Sequence, residues 1–543
     1  MLKHATTFRL ALAPTILAAF LALGQASGAE VAPLVSASSW PRVTHLADRG
    51  PRQYSALRSG TFGGHELEYR TTLSEMLVKG RDGRPASSLF VTAFVAERRP
   101  AGAARPVVFL FNGGPGGSSN TLMFGAMGPD RLEAFDSSAM ANPHTPVVSN
   151  EDAILDVADL VFIDAPETGF GRPLPGSDPS MFRSNDGDAH AFAQAILRWL
   201  TDHDRMSGPV YVAGESYGSI RAVLLARDLS AASPRLDLAG LILISQALWY
   251  NGPESAGIKH VTDPVRAINS LPDIVALSWY HGLVDNRTRT LEQAVGAARK
   301  FSLEELAPAI LSGNRLADAD RTRVAGRLAA LTGVPAESWL AHNLRLDNVR
   351  RQLLADRKLA LRQFDGRETE PLQGIVKDED RDWKAAMSGL TAASEGQASN
   401  VFQATDLPEY RSIVPDPYGF EKSWTFIAAP AAGPDVILGE QMAANPGLRL
   451  MITQGVFDPA TPMGETDYLF SQISVPRERM SVAYYGGGHM LYSDDIGRRA
   501  FLEDFRAFVT GRPVTARSFP SPAPGTVSKP WNLRAINDDH LRR

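Results

Sequence analysis

Four short apolar runs follow one another along the chain and constrain its fold more than any other feature. Each ends in a glycine-rich or polar turn, and amphipathic stretches separate them; the runs cover residues 107–111, 160–163, 210–213 and 241–244. Parallel strands have continuous runs of this kind because helices cover both faces of the sheet. The intervening stretches, including 188–202 and 219–229, have helical periodicity. The pattern therefore predicts an α/β fold with a mostly parallel, doubly wound sheet.

The same pattern predicts where the core is interrupted. Alternating apolar residues at 65–78 and 88–97 indicate two antiparallel opening strands. Between 253 and 400 the alternation of strand and helix patterns stops. The helical patterns there cover 291–300, 303–311, 321–331 and 344–361. Strand and helix patterns return at 448–453, 480–484 and 496–510. We expect a core formed by residues 30–252 and 401–512, a helical cap inserted at 253–400, and a Pro-rich tail at 513–543.

The first 29 residues have the composition of a secretory signal peptide. Lys3 and Arg9 precede an apolar run at 10–23, and small residues follow at 26–29. The apolar run is shorter than the ~20 residues of a membrane-spanning helix. We expect cleavage, no stable membrane insertion, and export to the periplasm or the extracellular space.

Composition excludes several classes of chemistry. The 543 residues include no cysteine, which removes cysteine nucleophiles, thiolate zinc sites and iron–sulfur clusters. The 11 histidines lack metal-ligand spacing, so we expect neither a metal nor a redox cofactor. The net charge of −5 and the absence of a basic stripe argue against a nucleic-acid partner.

A serine lies at the end of the third apolar run. The strand pattern at 210–213 leads directly into Gly214-Glu215-Ser216-Tyr217-Gly218, and a helical pattern follows. In this context G-x-S-x-G forms a tight turn that holds the serine above the strand end as a nucleophile. On its own the pentapeptide could equally be a glycine-rich turn between a strand and a helix.

A second glycine-rich loop follows the first apolar run, at Asn112-Gly113-Gly114-Pro115-Gly116-Gly117-Ser118-Ser119. A loop with so few side chains allows backbone N–H groups to approach a substrate oxygen, as an oxyanion hole requires. The alternative, a phosphate-binding loop, needs a lysine or a dinucleotide motif that this segment lacks. The loop thus favours acyl chemistry.

The two remaining groups of a catalytic triad follow later strands. Asp458 comes just after the strand pattern at 448–453, and His489 follows the next strand after three glycines. A serine nucleophile needs a base, and the base needs an acid that fixes its tautomer. The chain order Ser, Asp, His is that of α/β-hydrolases.

Together these motifs resemble the serine carboxypeptidase family, peptidase family S10, over roughly residues 100 to 500. The likeness extends to the segment at 163–171. The resemblance implies Ser216 as nucleophile, His489 as general acid/base and Asp458 as its orienting partner. It implies an oxyanion hole from the backbone N–H groups of Gly114 and Tyr217, and a substrate site formed by Asn112, Gly113, Glu215 and Met490.

In that site Asn112 and a protonated Glu215 would bind the terminal carboxylate of a peptide. A carboxyl group beside a bound carboxylate must carry a proton, which implies a raised pKa and activity at acidic pH. The chain departs from the family at Gly117, where a cysteine is usual, and at Ala126, where many members have a second carboxylate-binding Glu. Glu133 lies close to Ala126 in sequence and could substitute for that Glu.

Three functions follow in order of preference. The first is a serine-type carboxypeptidase that hydrolyses C-terminal peptide bonds through an acyl-enzyme at Ser216. The second, favoured by Ala126, is an esterase, amidase or acyltransferase with the same triad. The third is a binding or structural protein that has kept the fold and lost catalysis, against which the presence of Ser216, Asp458 and His489 argues.

Overall fold

The computed structural model describes residues 38, 40, 42–98, 104–249, 264–346, 348–373, 382–414, 424–426 and 433–514. The expected signal peptide at 1–29 lies outside the described residues, as does nearly all of the expected tail at 513–543. Within the described part of the chain, no helix combines the length and apolarity needed to cross a membrane.

A nine-stranded sheet organises the molecule. Its strands are β1 (Asp48–Phe62), β2 (His65–Lys79), β3 (Pro85–Ala96), β4 (Val107–Phe111), β7 (Asp159–Ile163), β8 (Val210–Glu215), β9 (Leu238–Ile244), β12 (Arg449–Gly455) and β13 (Met480–Tyr485). The spatial order is β1-β2-β3-β7-β4-β8-β9-β12-β13. Pairing is antiparallel from β1 to β7 and parallel from β7 to β13. The predicted fold class, a mostly parallel α/β sheet, is confirmed.

Successive side chains of the central strands enter two separate cores. In β4, Val107, Phe109 and Phe111 pack on one face, and Val108 and Leu110 pack on the other. This alternation follows from the two-residue period of a strand. The first face is covered by helices Asn185–Asp202, Tyr217–Ala232 and Pro434–Ala444, and the second chiefly by helix Asp495–Val509. All five β4 residues are at most 1% exposed, which explains their continuous apolar run.

Most of the helices between β9 and β12 form a separate core. Besides Pro434–Ala444, the described helices of this part of the chain are Pro264–Asn269, Leu271–Tyr280, Leu291–Phe301, Ala307–Ser312, Asp318–Thr332, Ala336–Ala341, Val349–Gln352, Trp383–Ala386 and Ser388–Asn400. Those from Pro264 to Gln352 share a hydrophobic cluster with residues of the turn after β12, including Val456 and Phe457. Helix Ser388–Asn400 instead contributes Leu390 and Ala393 to the second core of the sheet. Helix Met463–Gln472 follows β12, and the short strands β5 (Asp130–Leu132) and β6 (Val147–Ser149) form a hairpin.

One expectation about local structure is wrong, and one strand was not predicted. The helical pattern at 344–361 contains only the short helix Val349–Gln352, and strand β10 (Leu359–Leu361) pairs with β11 (Thr369–Pro371). The apolar residues of the segment 344–361 pack within the insertion without forming one continuous helix. Strand β1 was not predicted, because its residues alternate between half-buried and exposed and carry few apolar side chains. Twelve paired positions with β2 hold it in the sheet.

A buried ion pair fastens the helix after β8 to its neighbours. The guanidinium of Arg221 donates to both carboxylate oxygens of Asp188, at 2.6 and 3.2 Å, and to the carbonyl oxygen of Asn112 at 2.7 Å. Neither side chain is more than 1% exposed. Because burial disfavours an isolated charge, each partner requires the other.

We therefore expect Arg221→Met to lower the free energy of unfolding by about 3–5 kcal/mol, since it leaves the Asp188 carboxylate buried without its cation. Urea denaturation would measure this. Arg49→Met removes an exposed cation that pairs with Asp202 and should leave the unfolding midpoint unchanged. Equal midpoints for the two variants would contradict the importance of the buried pair.

Candidate active site

Ser216 lies in a strained turn between β8 and the helix Tyr217–Ala232. Its φ of 58° and ψ of −128° place a non-glycine residue in a region that is costly for side chains. The turn is held by a hydrogen bond from the Ser216 N–H to the carbonyl oxygen of Ile244, at 2.8 Å. A Cβ atom on Gly214 would lie 2.0 Å from the carbonyl oxygen of Gly218. Only glycine fits position 214, as the sequence motif predicts.

The glycine-rich loop packs directly against this turn. A Cβ on Gly113 would lie 2.5 Å from the Tyr217 nitrogen. Tyr217 is the first residue of its helix, so its N–H has no partner within the helix. Gly114 follows in the left-handed region, with a φ of 112°. The two N–H groups expected to form the oxyanion hole thus belong to two backbone segments that touch each other.

Asp458 and His489 form a buried pair. The imidazole Nδ1 of His489 donates to Oδ2 of Asp458 at 2.8 Å, and the two residues are 4% and 1% exposed. The other carboxylate oxygen accepts the backbone N–H groups of Ala460 and Thr461, at 2.8 and 3.0 Å. A proton on Nδ1 leaves Nε2 of the neutral ring as the acceptor that a serine hydroxyl requires.

Hydrogen bonds across three strand ends link Ser216 to the histidine turn. Ser245 directly follows Ile244, the partner of Ser216. The backbone N–H of Ser245 donates to the carbonyl oxygen of Thr453 at 2.8 Å, and the Ser245 hydroxyl donates to the carbonyl oxygen of His489 at 2.6 Å. No hydrogen bond joins Ser216 Oγ to His489 among the described residues. Catalytic bonds of this kind are often long until a substrate is bound.

Burial acts in opposite directions on the pKa values of His489 and of a neighbouring carboxyl group, Glu215. Burial lowers the pKa of His489, but the charge and hydrogen bond of Asp458, with the charge of Glu215, outweigh burial and raise it above its ordinary value. Burial raises the pKa of Glu215 to about 7, against the opposing effects of His489 and of hydrogen bonds from Tyr492 and Asn112. A proton is therefore available on Glu215 below neutral pH.

Of the residues expected to bind substrate, Asn112 contacts this carboxyl group. Glu215 ends β8 and is 3% exposed, and Asn112 follows β4 and is 7% exposed. Asn112 accepts the Leu122 N–H through Oδ1 at 2.8 Å, which turns its amide NH₂ toward Glu215. Met490 is half-buried beside His489. Ala126 is fully buried, whereas the side chain of Glu133 is exposed.

Several residues of the site were missed by the sequence analysis. Thr461 donates its hydroxyl to Asp458 Oδ2 at 2.5 Å, and Gln454 donates its amide to the same oxygen at 3.1 Å. The hydroxyl of Tyr492 donates to Glu215 Oε2. Phe364, from the insertion, accepts the His489 N–H at 2.6 Å through its carbonyl oxygen. Of these residues, only Thr461 carried a sequence signal, namely its separation of three residues from Asp458.

Residues 411–414 support the glycine-rich loop from outside. The Ser118 N–H donates to Ser412 O at 2.9 Å, and the Val414 N–H donates to Gly116 O at 2.8 Å. Asp164 binds the Ser119 N–H at 2.8 Å from the other side. The loop is therefore held by two segments that lie far from it in the sequence.

The fold and this arrangement define the class: an α/β-hydrolase fold with a serine in a strained turn beside a buried Asp–His pair. Residues 81–302 match the model of the serine carboxypeptidase family, peptidase family S10. A solved structure of Kex1Δp, a prohormone-processing carboxypeptidase from Saccharomyces cerevisiae, is similar over 82% of this chain and 91% of its own, with 12% identity and a TM-score of 0.50. Over residues 81–302 the chain is thus similar to the serine carboxypeptidase family, and the solved structure shares its fold.

Similarity to curated relatives is confined to part of each protein. Serine carboxypeptidase-like 13 of Arabidopsis thaliana is 27% identical over 158 residues, which cover 28% of this chain. Serine carboxypeptidase-like 36 of the same organism is 30% identical over 183 residues, or 32% of this chain. In both cases the match spans 35% of the relative's own length.

Gln454 offers a test of the buried pair. We expect Gln454→Leu to lower kcat for any substrate about ten- to a hundredfold with little change in KM, because a hydrogen bond to a charged group contributes about 1.5–3 kcal/mol. Steady-state kinetics would measure this. Gln472→Leu, on an exposed part of the helix Met463–Gln472, is the matched control. Unchanged kcat in Gln454→Leu would show that Asp458 does not depend on this amide.

Proposed function

We propose that the protein is a serine-type carboxypeptidase that hydrolyses C-terminal peptide bonds through an acyl-enzyme at Ser216. The observation that carries the proposal is the buried Glu215, next to Ser216 in the chain, whose pKa is raised to about 7 by burial. A neutral carboxyl group at this position can donate a hydrogen bond to a substrate carboxylate, whereas an ionised one would repel it. Its position one residue before the nucleophile supports recognition of the carboxylate next to the scissile bond.

Acylation uses the groups already described. Ser216 Oγ attacks the carbonyl carbon of the scissile bond while His489 Nε2 takes the hydroxyl proton, and Asp458 stabilises the resulting imidazolium. The oxyanion receives hydrogen bonds from the N–H groups of Gly114 and Tyr217. When the tetrahedral intermediate collapses, His489 returns the proton to the departing amine, which leaves as the free C-terminal amino acid.

Deacylation repeats these steps with water as the nucleophile. Water loses a proton to His489 Nε2 as it attacks the ester carbonyl carbon, and the proton then passes to Ser216 Oγ as the ester bond breaks. The shortened peptide leaves with a new terminal carboxylate. Asn112 and Glu215 bind the carboxylate only in the acylation half of the reaction, because the departing amino acid carries it away.

Export is proposed from the sequence alone. A positive start, an apolar run at 10–23 and small residues at 26–29 support a cleaved signal peptide. The absence of cysteine means that the exported enzyme would not depend on disulfide formation.

One observation favours a second candidate, an esterase, amidase or acyltransferase with the same triad. Ala126 presents only a methyl group where many members of the family have a second carboxyl group, and it is fully buried. If terminal carboxylates are bound weakly, substrates without one would react as well as peptides with a free C-terminus.

The nucleophile is tested with purified protein and a blocked dipeptide at acidic pH. We expect Ser216→Ala to lower kcat by about six orders of magnitude, since loss of the nucleophile removes the whole triad mechanism. Ser399→Ala, on the exposed end of helix Ser388–Asn400, is the control and should retain full activity. A fluorophosphonate probe should label the wild type and not Ser216→Ala. Retained hydrolysis in that variant would refute the mechanism.

The recognition step is tested by the acid-to-amide ratio, defined as kcat/KM for a peptide acid divided by kcat/KM for the matching peptide amide. Protonation of His489 slows both substrates at low pH and cancels in the ratio. Below pH 7 Glu215 is neutral and donates to the substrate carboxylate; above it the ionised group repels that carboxylate. We expect the ratio to exceed one at pH 5 and to fall by up to about tenfold per pH unit above 7.

A ratio near one at every pH would favour the esterase or amidase instead. The triad would then still be supported by the loss of activity in Ser216→Ala, so the two parts of the proposal fail separately.

A further inference from the structure

Tyr492 occupies a closely fitted slot beside the active site. Its side chain is completely buried, and its ring packs against Phe135 and Phe501, with centroid distances of 5.4 and 6.1 Å. A Cβ on Gly125 would lie 2.6 Å from the Tyr492 ring, so the residue preceding Ala126 must be small. The phenol therefore lies next to the helical segment Met123–Met127, which has no carboxyl group at position 126.

The hydroxyl of Tyr492 is a donor to Glu215. It donates to Oε2, and the amide of Asn112 contacts both Glu215 and the phenol oxygen. Burial, followed by the charge of Glu215, raises the pKa of Tyr492 well above its ordinary value. The phenol thus keeps its proton throughout the pH range in which Glu215 titrates.

We propose that Tyr492 is a positioning residue for C-terminal recognition, which occupies Glu215 Oε2 so that the proton of Glu215 resides on Oε1, available to the substrate carboxylate. The inference rests on the proposed carboxypeptidase function and adds a determinant of its specificity. A carboxyl group has two oxygens of equal basicity, and a fixed donor on one of them leaves the other as the site of protonation.

A phenol differs from a carboxyl group in one respect that matters here. It donates a hydrogen bond but carries no charge at working pH, so recognition depends on the ionisation of Glu215 alone. The titratable groups that face Glu215 are His489, Asp458 and Tyr492, and the neutral amide of Asn112 completes its surroundings. Tyr492 stabilises the ionised form of Glu215, so its removal makes that carboxyl group harder to ionise.

The variant Tyr492→Phe tests this directly. We expect KM for the peptide acid to rise about tenfold at pH 5, because Glu215 loses its orientation, while kcat and KM for the peptide amide stay within about twofold. The pH at which the acid-to-amide ratio falls should move upward. Tyr485→Phe is the matched control, since this buried phenol donates to a different carboxylate, Asp504, at 2.8 Å.

A change that affects both substrates equally, with the pH midpoint of the ratio unmoved, would reduce Tyr492 to a packing role and overturn the proposal. Failure of the carboxypeptidase function has a different signature, because the wild type itself would then show a ratio near one at every pH.

The variant Glu215→Gln provides a second test should Tyr492→Phe not fold. With Tyr492 donating to the amide oxygen, the NH₂ group is fixed toward the substrate as a permanent donor. We expect the acid preference to persist and to lose its pH dependence. Loss of the acid preference at pH 5 in Glu215→Gln would contradict the proposed orientation. Labelling by the fluorophosphonate probe and urea denaturation establish that each variant is folded.

Discussion

Direct contact between backbone segments at the carboxyl edge of the sheet sets the geometry on which the site depends. A Cβ atom added to Gly113 would lie 2.5 Å from the backbone nitrogen of Tyr217. A Cβ atom added to Gly214 or to Gly455 would lie 2.0 Å from a carbonyl oxygen. The oxygens belong to Gly218 and Gly488, which are themselves glycines of the elbow and of the histidine turn. Side chains at these positions would separate the loops by several tenths of an ångström or more. Catalytic groups tolerate little displacement of that size.

The low exposure produced by this close packing also determines how readily the buried carboxyl group of Glu215 ionises. Asp458 keeps its carboxylate among five hydrogen-bond donors, two of them backbone N–H groups. Glu215, a short distance away, has far fewer donors and is harder to ionise. Burial, which raises the pKa of Glu215 to about 7, thus gives the site a neutral carboxyl donor at mildly acidic pH, close to a carboxyl group that is held by five donors.

The sequence predicted those parts of the molecule in which local pattern and burial agree. Strands β4, β7, β8 and β9 are fully apolar because both of their faces are covered, and the glycines at 113 and 214 are required by close backbone approach. The proximity of Ser216, Asp458 and His489 to one sheet edge followed from the order of their strands. Their catalytic roles remain predictions.

Other features depend on contacts between distant segments and had no local signal. Ser412 meets Ser118 across 294 residues of chain. Gln454 lies only four residues before Asp458, but it faces that carboxyl group because of the turn that follows β12. Tyr492 resembles any buried aromatic residue in sequence, and only its contact with Glu215 distinguishes it. The prediction of a helix at 344–361 is wrong for a related reason, because apolar residues in a small helical layer satisfy several periodicities at once.

The attachment of the insertion to the histidine turn has a consequence for how this fold can vary. Besides the bond from the His489 N–H to Phe364 O, Arg367 donates to the carbonyl oxygen of Gly486 and to Asp494, at 2.8 and 2.9 Å. A Cβ on Gly488 would lie 2.4 Å from Phe364 O. The segment around Phe364 and Arg367 is thus part of the scaffold of the general base. A minimal hydrolase obtained by excising the whole insertion would lose that scaffold, whereas the outer helices, such as Asp318–Thr332, are free to diverge without disturbing the imidazole.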